Sequence, residues 1–256
     1  DLRLSHQAER FEQNAEGHVV IAKKMDTDEL VSIGFDAVLV AVGRQANTKG
    51  YGVEDLELKL RDNGTLDTNE FLATRFPNIY AVGDVTGPYQ FTHAAAHQAW
   101  YAAVNALFGG FKRFKVDYRV LPHVTFTEPE VARVGLSETE AREQDVEVEV
   151  TRYGIDDLDR AIADEAAEGY VKVLTVPGKD RILGVTIVGA HSGELIAEYV
   201  LAMKHGLGLN KVLGTIHSYP TMSEANKYAA GEWKRAHAPE KLLGWVQRWH
   251  RWRLKH

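Results

Sequence analysis

Thr74-Arg75-Phe76-Pro77-Asn78-Ile79-Tyr80-Ala81-Val82-Gly83-Asp84-Val85 is the stretch on which the reading of this chain turns. Asn78 to Val82 has the apolar, β-branched and aromatic character of a short buried strand, and it stops at Gly-Asp. Open α/β sheets bind ligands beyond the carboxyl ends of their strands, so Asp84 stands where a ligand's hydroxyls can be accepted, or Gly83-Asp84 simply makes the turn that ends the strand. Gly83 lets the backbone come close there.

Working outward, Phe35 to Val42 (FDAVLVAV) is almost continuously apolar, the pattern of a strand buried on both faces, and it ends at Gly43-Arg44. His18 to Ala22 is a shorter strand-like run, and Asp62-Asn63-Gly64 is a turn signal. Downstream of Asp84, His93 to Phe108 is alanine-rich and predicts a helix stopped by Gly109-Gly110, with Thr92 as its N-cap. His93 and His97 read as packing residues.

The texture changes near Tyr118. Short β-rich runs follow at Val124 to Phe126, Val146 to Val150, Tyr170 to Val176 and Ile182 to Val188, and they predict an antiparallel sheet. Ser137 stands three residues before Glu140 in capping-box spacing. Gly193 to His205 carries apolar residues at helical spacing and ends at Gly206. The fold class is α/β followed by α+β.

Bulk properties exclude several roles. The chain has 256 residues, 45% apolar and 26% charged, with net charge −6, which argues against nucleic acid as the main partner. No apolar run reaches membrane-spanning length, no signal-peptide layout opens the chain, and the expectation is a cytoplasmic protein. It contains no cysteine, so no disulfide or thiolate chemistry arises within it. Residues 240–256 carry +4, leaving −10 on the remainder. In that tail Leu242, Trp245, Val246, Trp249 and Trp252 recur at three- and four-residue spacing among Lys241, Arg248, Arg251, Arg253 and Lys255. This fits a peripheral helix on an acidic membrane surface, and it fits better one packed on the body or on the other subunit.

Four motifs in one order carry a resemblance: Ala41-Val42-Gly43-Arg44-Gln45-Ala46-Asn47, then Thr74 to Val85, then Phe126-Thr127-Glu128-Pro129-Glu130-Val131-Ala132-Arg133-Val134-Gly135-Leu136, then Pro220-Thr221-Met222-Ser223-Glu224. Over roughly residues 17–231 the chain resembles the C-terminal half of the FAD-dependent pyridine nucleotide-disulfide oxidoreductases, which include dihydrolipoamide dehydrogenase, glutathione reductase and mercuric reductase. The resemblance implies the tail end of an NAD(P)-binding domain over 1–46 and the C-terminal part of an FAD-binding domain over 47–118. A dimerisation domain over 119–232 and a basic amphipathic helix over 233–256 complete the division. It also implies that the redox-active Cys pair and the nucleotide fingerprint lie outside this chain, which is expected to be a fragment inactive by itself. The implied cofactors are FAD and NAD(P)H, and the implied assembly is a homodimer.

By the same resemblance, Gly83 and Asp84 bind flavin hydroxyls, and Gln90, Phe91 and Thr92 lead the helix start that faces the flavin pyrimidine. A helix N-terminus offers unpaired N–H donors to the negative charge of a reduced flavin. Arg44 contacts nucleotide phosphates or bridges domains. In disulfide-reducing members a His before Pro-Thr, with a Glu five residues later, serves as acid/base for the partner's thiolate. Here that place is Tyr219, Glu224 keeps its spacing, and the nearest imidazole is His217, which reads as a packing residue more than a catalytic one. The phenol moves the expected acceptor from a disulfide toward a metal ion or another small molecule, as in the mercuric-reductase branch. An atypical dihydrolipoamide dehydrogenase and a non-catalytic dimerisation module are the alternatives. No metal site is expected within the chain.

Overall fold

A computed structural model describes residues 1–15 and 17–254. Lys255, counted above among the tail's cations, and His256 lie outside the described residues. The chain divides into two compact units, one formed by Asp1–Asp67 and Asp84–Gln90, the other by Thr68–Gly83 and the chain from Phe91 onward. These units do not coincide with the sequence divisions at 46/47 and 118/119. Tyr118 lies within the second unit, where its hydroxyl accepts a hydrogen bond from Gln98 Nε2 at 2.6 Å.

The first unit is built on an antiparallel meander, β1 (His6–Asn14), β2 (Gly17–Lys24) and β3 (Leu30–Phe35). The central strand β2 buries Val19, Ile21 and Ala22, while β1 is exposed along most of its length. The turn at Asp62-Asn63-Gly64 forms as expected: Arg61 N–H donates to Thr65 O at 2.8 Å, and Gly64 adopts φ +79°.

Two strand expectations fail here. Residues 36–42 form no strand, and Val38, Leu39, Val40 and Val42 are 52–90% exposed. The apolar signal is real, but a strand needs a hydrogen-bonding neighbour, and among the described residues none pairs with this run. Asn78–Val82, in the second unit, is reduced to one bridge between Ala73 and Tyr80. Both sheets are antiparallel, so the parallel layer implied for the first half is not formed by this chain's own strands.

The second unit opens with α1 (Thr92–Phe108), one residue longer at its start than expected. Phe91, not Thr92, occupies the N-cap, and no side chain caps the helix. Next come β4 (His123–Thr125), β5 (Val131–Gly135), α2 (Glu138–Glu143), β6 (Glu149–Gly154), α3 (Asp159–Ala163), β7 (Tyr170–Thr175) and β8 (Ile182–Val188). They are followed by α4 (Ser192–Lys204), α5 (Leu209–Leu213), α6 (Glu224–Ala236) and α7 (Glu240–Arg253). The sheet order is β4-β5-β8-β7-β6, antiparallel throughout. The register aligns Ala132, Ile187 and Val171 in one row and Val134, Val185 and Val173 in the next. All six are buried, and Leu195, Ile196 and Tyr199 from α4 with Ala225, Ala229 and Trp233 from α6 join them in one core. The period-two alternation of each strand thus makes one continuous apolar face.

The expected 233–256 helix is two helices. Trp233 belongs to α6, where it is buried and stacks on His237 at 4.1 Å, and Pro239 separates α6 from α7. A proline has no N–H to continue the α6 ladder, so the chain restarts its helix after it.

The Ser137 capping box forms in full. Glu140 N–H donates to Ser137 Oγ at 3.2 Å, and Ser137 N–H donates to Glu140 Oε2 at 2.8 Å. Arg133 adds a 2.6 Å ion pair to the other carboxylate oxygen. The Arg133 hydrogen bond first, then that of the Ser137 amide, holds the Glu140 carboxyl down at about 2. A carboxyl depressed in the folded state contributes stability above its unfolded value of 4.5, and that contribution is lost as pH falls toward 2. Ser137→Ala is therefore expected to cost about 1 kcal/mol at neutral pH. In urea titrations, Glu140→Gln should lose stability relative to the parent near neutrality, with the gap closing between pH 4.5 and 2. A gap that stays constant across that window would remove Glu140 as its cause.

Candidate functional site

In the first unit the structure brings together three of the sequence-predicted residues. Arg44 Nη1 lies 3.5 Å from Asp84 Oδ2 and donates to Gln90 O at 3.1 Å. Asp84 sits in a short 3-10 turn, Gly83–Val85, and its carboxylate is 44% exposed. An exposed pair at that separation contributes little to stability, so the carboxylate retains acceptor capacity for a ligand hydroxyl.

In the second unit Gly83 adopts φ +77°, and a Cβ there would stand 3.2 Å from the Ala95 methyl. Its N–H donates to Gln98 Oε1 at 2.5 Å. Gln98 is fully buried and ties this backbone to α1, a role the sequence reading missed because one Gln in an Ala-rich helix carries no local signal. Phe91 stacks on His93 at 5.2 Å and meets His123 edge-on at 5.0 Å, and His93 bonds to Pro122 O at 3.0 Å. His93 therefore packs, as expected. Since no side chain caps α1, the Thr92 side chain plays no part as a cap, and the first amides of the helix remain as donors with the positive end of the helix dipole behind them. Taken by itself, the first unit offers an acceptor for hydroxyls, and the second by itself offers donors for an electron-rich edge.

The most developed constellation surrounds Tyr219. It lines an open pocket of about 410 Å³ with Asp159, Glu224, Tyr228, Tyr153 and Arg235. Tyr219 is 68% exposed, and its hydroxyl donates to Asp159 Oδ2 at 2.9 Å. That bond and the Asp159 charge hold the Tyr219 phenol above its ordinary value, with Glu224 adding to the effect. Glu224, the first residue of α6, is buried. Its carboxylate takes long contacts, both 3.4 Å, from the Tyr228 hydroxyl and the Thr221 N–H. The Glu224 charge in turn raises the Tyr228 phenol. Tyr153 donates to Asp157 at 2.7 Å and its ring lies 5.5 Å from that of Tyr228. The pocket is thus walled by neutral phenols, each facing a carboxylate. These phenols are hydrogen-bond donors at neutral pH and not bases.

His217 is not part of this wall. Its ring is 5% exposed, Nε2 lies 2.9 Å from Glu198 Oε1, and Nδ1 lies 3.1 Å from Thr215 O. Glu198 also accepts from Asn226 Nδ2 at 2.9 Å. The imidazole is committed to fixing the loop before Pro220 against α4 and α6, the packing role. Asp159 and Tyr228 were absent from the sequence reading. Tyr228 stands four residues after Glu224, a spacing that places them on one helix face and could have revealed it. Among the described residues no group of His, Asp or Glu side chains is arranged to hold a metal ion.

Comparison with known proteins gives the family. Residues 121–230 match the dimerisation domain of the pyridine nucleotide-disulphide oxidoreductases, and residues 1–99 match a second model of the pyridine nucleotide-disulphide oxidoreductases. Dihydrolipoyl dehydrogenase of Chlamydia trachomatis is 38% identical over 190 residues, 74% of this chain and 40% of the relative. That of Thermus scotoductus is 36% identical over 229 residues, 90% of this chain and 49% of the relative. Among solved structures, LpdA from Mycobacterium tuberculosis superposes with a TM-score of 0.76 at 25% identity, covering 88% of this chain and 48% of that one. The HOCl-induced flavoprotein disulfide reductase RclA from Escherichia coli gives 0.75 at 26% identity, covering 88% of this chain and 50% of that one. This chain spans 40–49% of the length of the two curated relatives. With an antiparallel dimerisation-type sheet, an FAD-binding-type segment before it and two family matches in the family's own order, the chain belongs to the class I pyridine nucleotide-disulfide oxidoreductases.

Proposed function

We propose that this chain supplies the flavin edge and the dimer interface of an FAD-dependent oxidoreductase that draws electrons from NADH or NADPH. The observation that carries the reading is the Tyr219 pocket. A neutral phenol, oriented by Asp159, stands before Pro220-Thr221, the motif position at which disulfide-reducing members carry an imidazole. FAD, when bound, would supply the two-electron chemistry with reduced nicotinamide. Asp84 would accept from the hydroxyls of the flavin chain, and the first amides of α1 would meet its pyrimidine edge.

The acceptor reading shifts from the one the sequence favoured. The curated relatives described above bear the name dihydrolipoyl dehydrogenase, which supports a disulfide-type acceptor over a mercuric-reductase-like one. A second reading, a metal-ion acceptor, is favoured by the phenol at position 219 and by the copper(II) complex solved for RclA, 27% identical to this chain. The pairing partners for the exposed run 36–42 would come from the rest of a longer polypeptide, and the dimer would be a homodimer.

The test is an anaerobic titration of the full-length, flavin-loaded protein. NADH or NADPH is expected to bleach the flavin absorbance. Lipoamide then restores it faster than copper(II) or mercury(II). Faster return with a metal ion would favour the second reading, and no bleaching with either nicotinamide would remove the oxidoreductase proposal.

A further inference from the structure

The C-terminal helix α7 is built differently from every other helix of the second unit. Helices α1 to α6 each bury at least one residue, whereas α7 buries none over its 14 residues. Leu242, Trp245 and Trp249 are 55%, 58% and 41% exposed, and Trp252 is 61% exposed. At 100° per residue, Leu242, Trp245, Val246, Trp249 and Trp252 fall within an arc of about 120°. Lys241, Arg248 and Arg251 lie on the remaining surface. Arg253 falls inside the apolar arc, between Leu242 and Val246 in projection, and its guanidinium covers the Trp249 ring at 4.8 Å.

We propose that α7 is a docking helix for an anionic lipid surface, on which it lies flat with its tryptophan face down. Charge complementarity selects the occupant. Within Glu240–Arg253 there are four Lys or Arg residues and one carboxylate, on a chain of net charge −6. Cations near an anionic bilayer surface are each worth about a fivefold gain in partitioning, while the acidic body gains nothing there. The face suits lipid rather than a protein groove. Three of the chain's five tryptophans lie on it, and an indole has an apolar body with one polar N–H, which places it at headgroup depth. The helix is also too short and too charged to enter the bilayer, and no helix among the described residues is long and apolar enough to cross one. The Pro239 break frees its direction from that of α6, so the helix can follow a plane without disturbing the core around Trp233. The alternative of packing on the chain's own body is not what the structure shows. Packing on a second copy is an outcome of the test.

The experiment is flotation of the intact protein with vesicles of phosphatidylcholine mixed with phosphatidylglycerol, compared with phosphatidylcholine alone. The parent is expected to float with the mixed vesicles at low salt and to stay behind with the neutral ones, with tryptophan emission shifting blue only in the first case. Arg248→Glu with Arg251→Glu should lower recovery more than about tenfold, and Trp245→Ala with Trp249→Ala should do the same with the charge kept. Each variant is checked by light scattering without vesicles. Equal recovery of parent and variants, or no flotation of the parent, would overturn the proposal. So would a change from dimer to monomer on substituting the tryptophans, which would assign the face to a second copy. None of these outcomes bears on the oxidoreductase reading, which rests on other residues.

Discussion

Gly184→Ala is expected to destabilise the second unit by about 3 kcal/mol or more, through a backbone collision that no side-chain rotation relieves. Gly184 lies in β8 opposite Gly135 of β5. A Cβ at 184 would run into the backbone oxygen, nitrogen and carbonyl carbon of Leu136. Leu136 N–H donates to Leu183 O at 3.0 Å, so moving that backbone aside breaks the bond that ends the β5–β8 ladder. Gly135 is equally constrained. It has φ +70°, and a Cβ there would meet Leu183 O and the Met203 methyl. The two glycines let the chain leave β5 and turn into the capping box at Ser137 while staying in van der Waals contact with β8. In a unit of this size the loss corresponds to a fall in Tm of about 10 °C. Gly244→Ala is the control, because nothing lies within 4 Å of its added methyl and its backbone is helical. Its effect on the main unfolding transition should be negligible. A Gly184→Ala variant that melts with the parent would mean that β5 and β8 do not approach as described.

The elements that could be read from the sequence are those whose partners lie within the chain. Ile182–Val188 forms as expected because its alternating apolar residues meet β5 and β7, both present. The Ser137 capping box is legible because it is closed over four residues. The 36–42 run carries as strong an apolar signal and forms nothing, since a strand is a property of a pair and its neighbours are not among the described residues. β5 went unnoticed because Ala132 and Arg133 interrupt its apolar character, although Ala132 packs fully in the core. The same division holds at the site. Arg44, Asp84 and Gln90 were legible as motif positions and are joined by hydrogen bonds. Asp159 was not legible, because 60 residues of sequence separate it from the Tyr219 hydroxyl that it receives. The acid at that end of α3 looks in sequence like one more charge in the run Asp156-Asp157-Leu158-Asp159.

Tyr219→Phe, made in the full-length flavin-loaded protein, is expected to slow electron delivery to the acceptor about a hundredfold while leaving flavin reduction by NAD(P)H unchanged. On the proposed assignment the two half-reactions separate: the 410 Å³ pocket that Tyr219 lines is given to the acceptor, and Asp84 and the α1 start to the flavin. Removing one oxygen keeps the ring and its packing but deletes the donor that Asp159 orients at 2.9 Å. The phenol stays protonated through the neutral range, because Asp159 and Glu224 both oppose its ionisation. Its contribution is therefore a hydrogen bond to charge developing on the acceptor, and the parent's acceptor rate should show no ionisation of this group near neutrality. Tyr219→His inverts that. An imidazole titrates near pH 6.5 when unperturbed, and the Asp159 and Glu224 carboxylates push it upward, so a new limb appears in the pH profile above about 6.5. With a disulfide-type acceptor the His variant should exceed the Phe variant at pH 8 by restoring an acid/base group. With a metal-ion acceptor it should not, because no proton then needs to be exchanged. Asp159→Asn serves as the positioning test: it should lower the acceptor rate less than Tyr219→Phe does and leave KM for the nicotinamide unchanged. Equal losses in both half-reactions for Tyr219→Phe would show that the residue holds the fold and does not serve the acceptor.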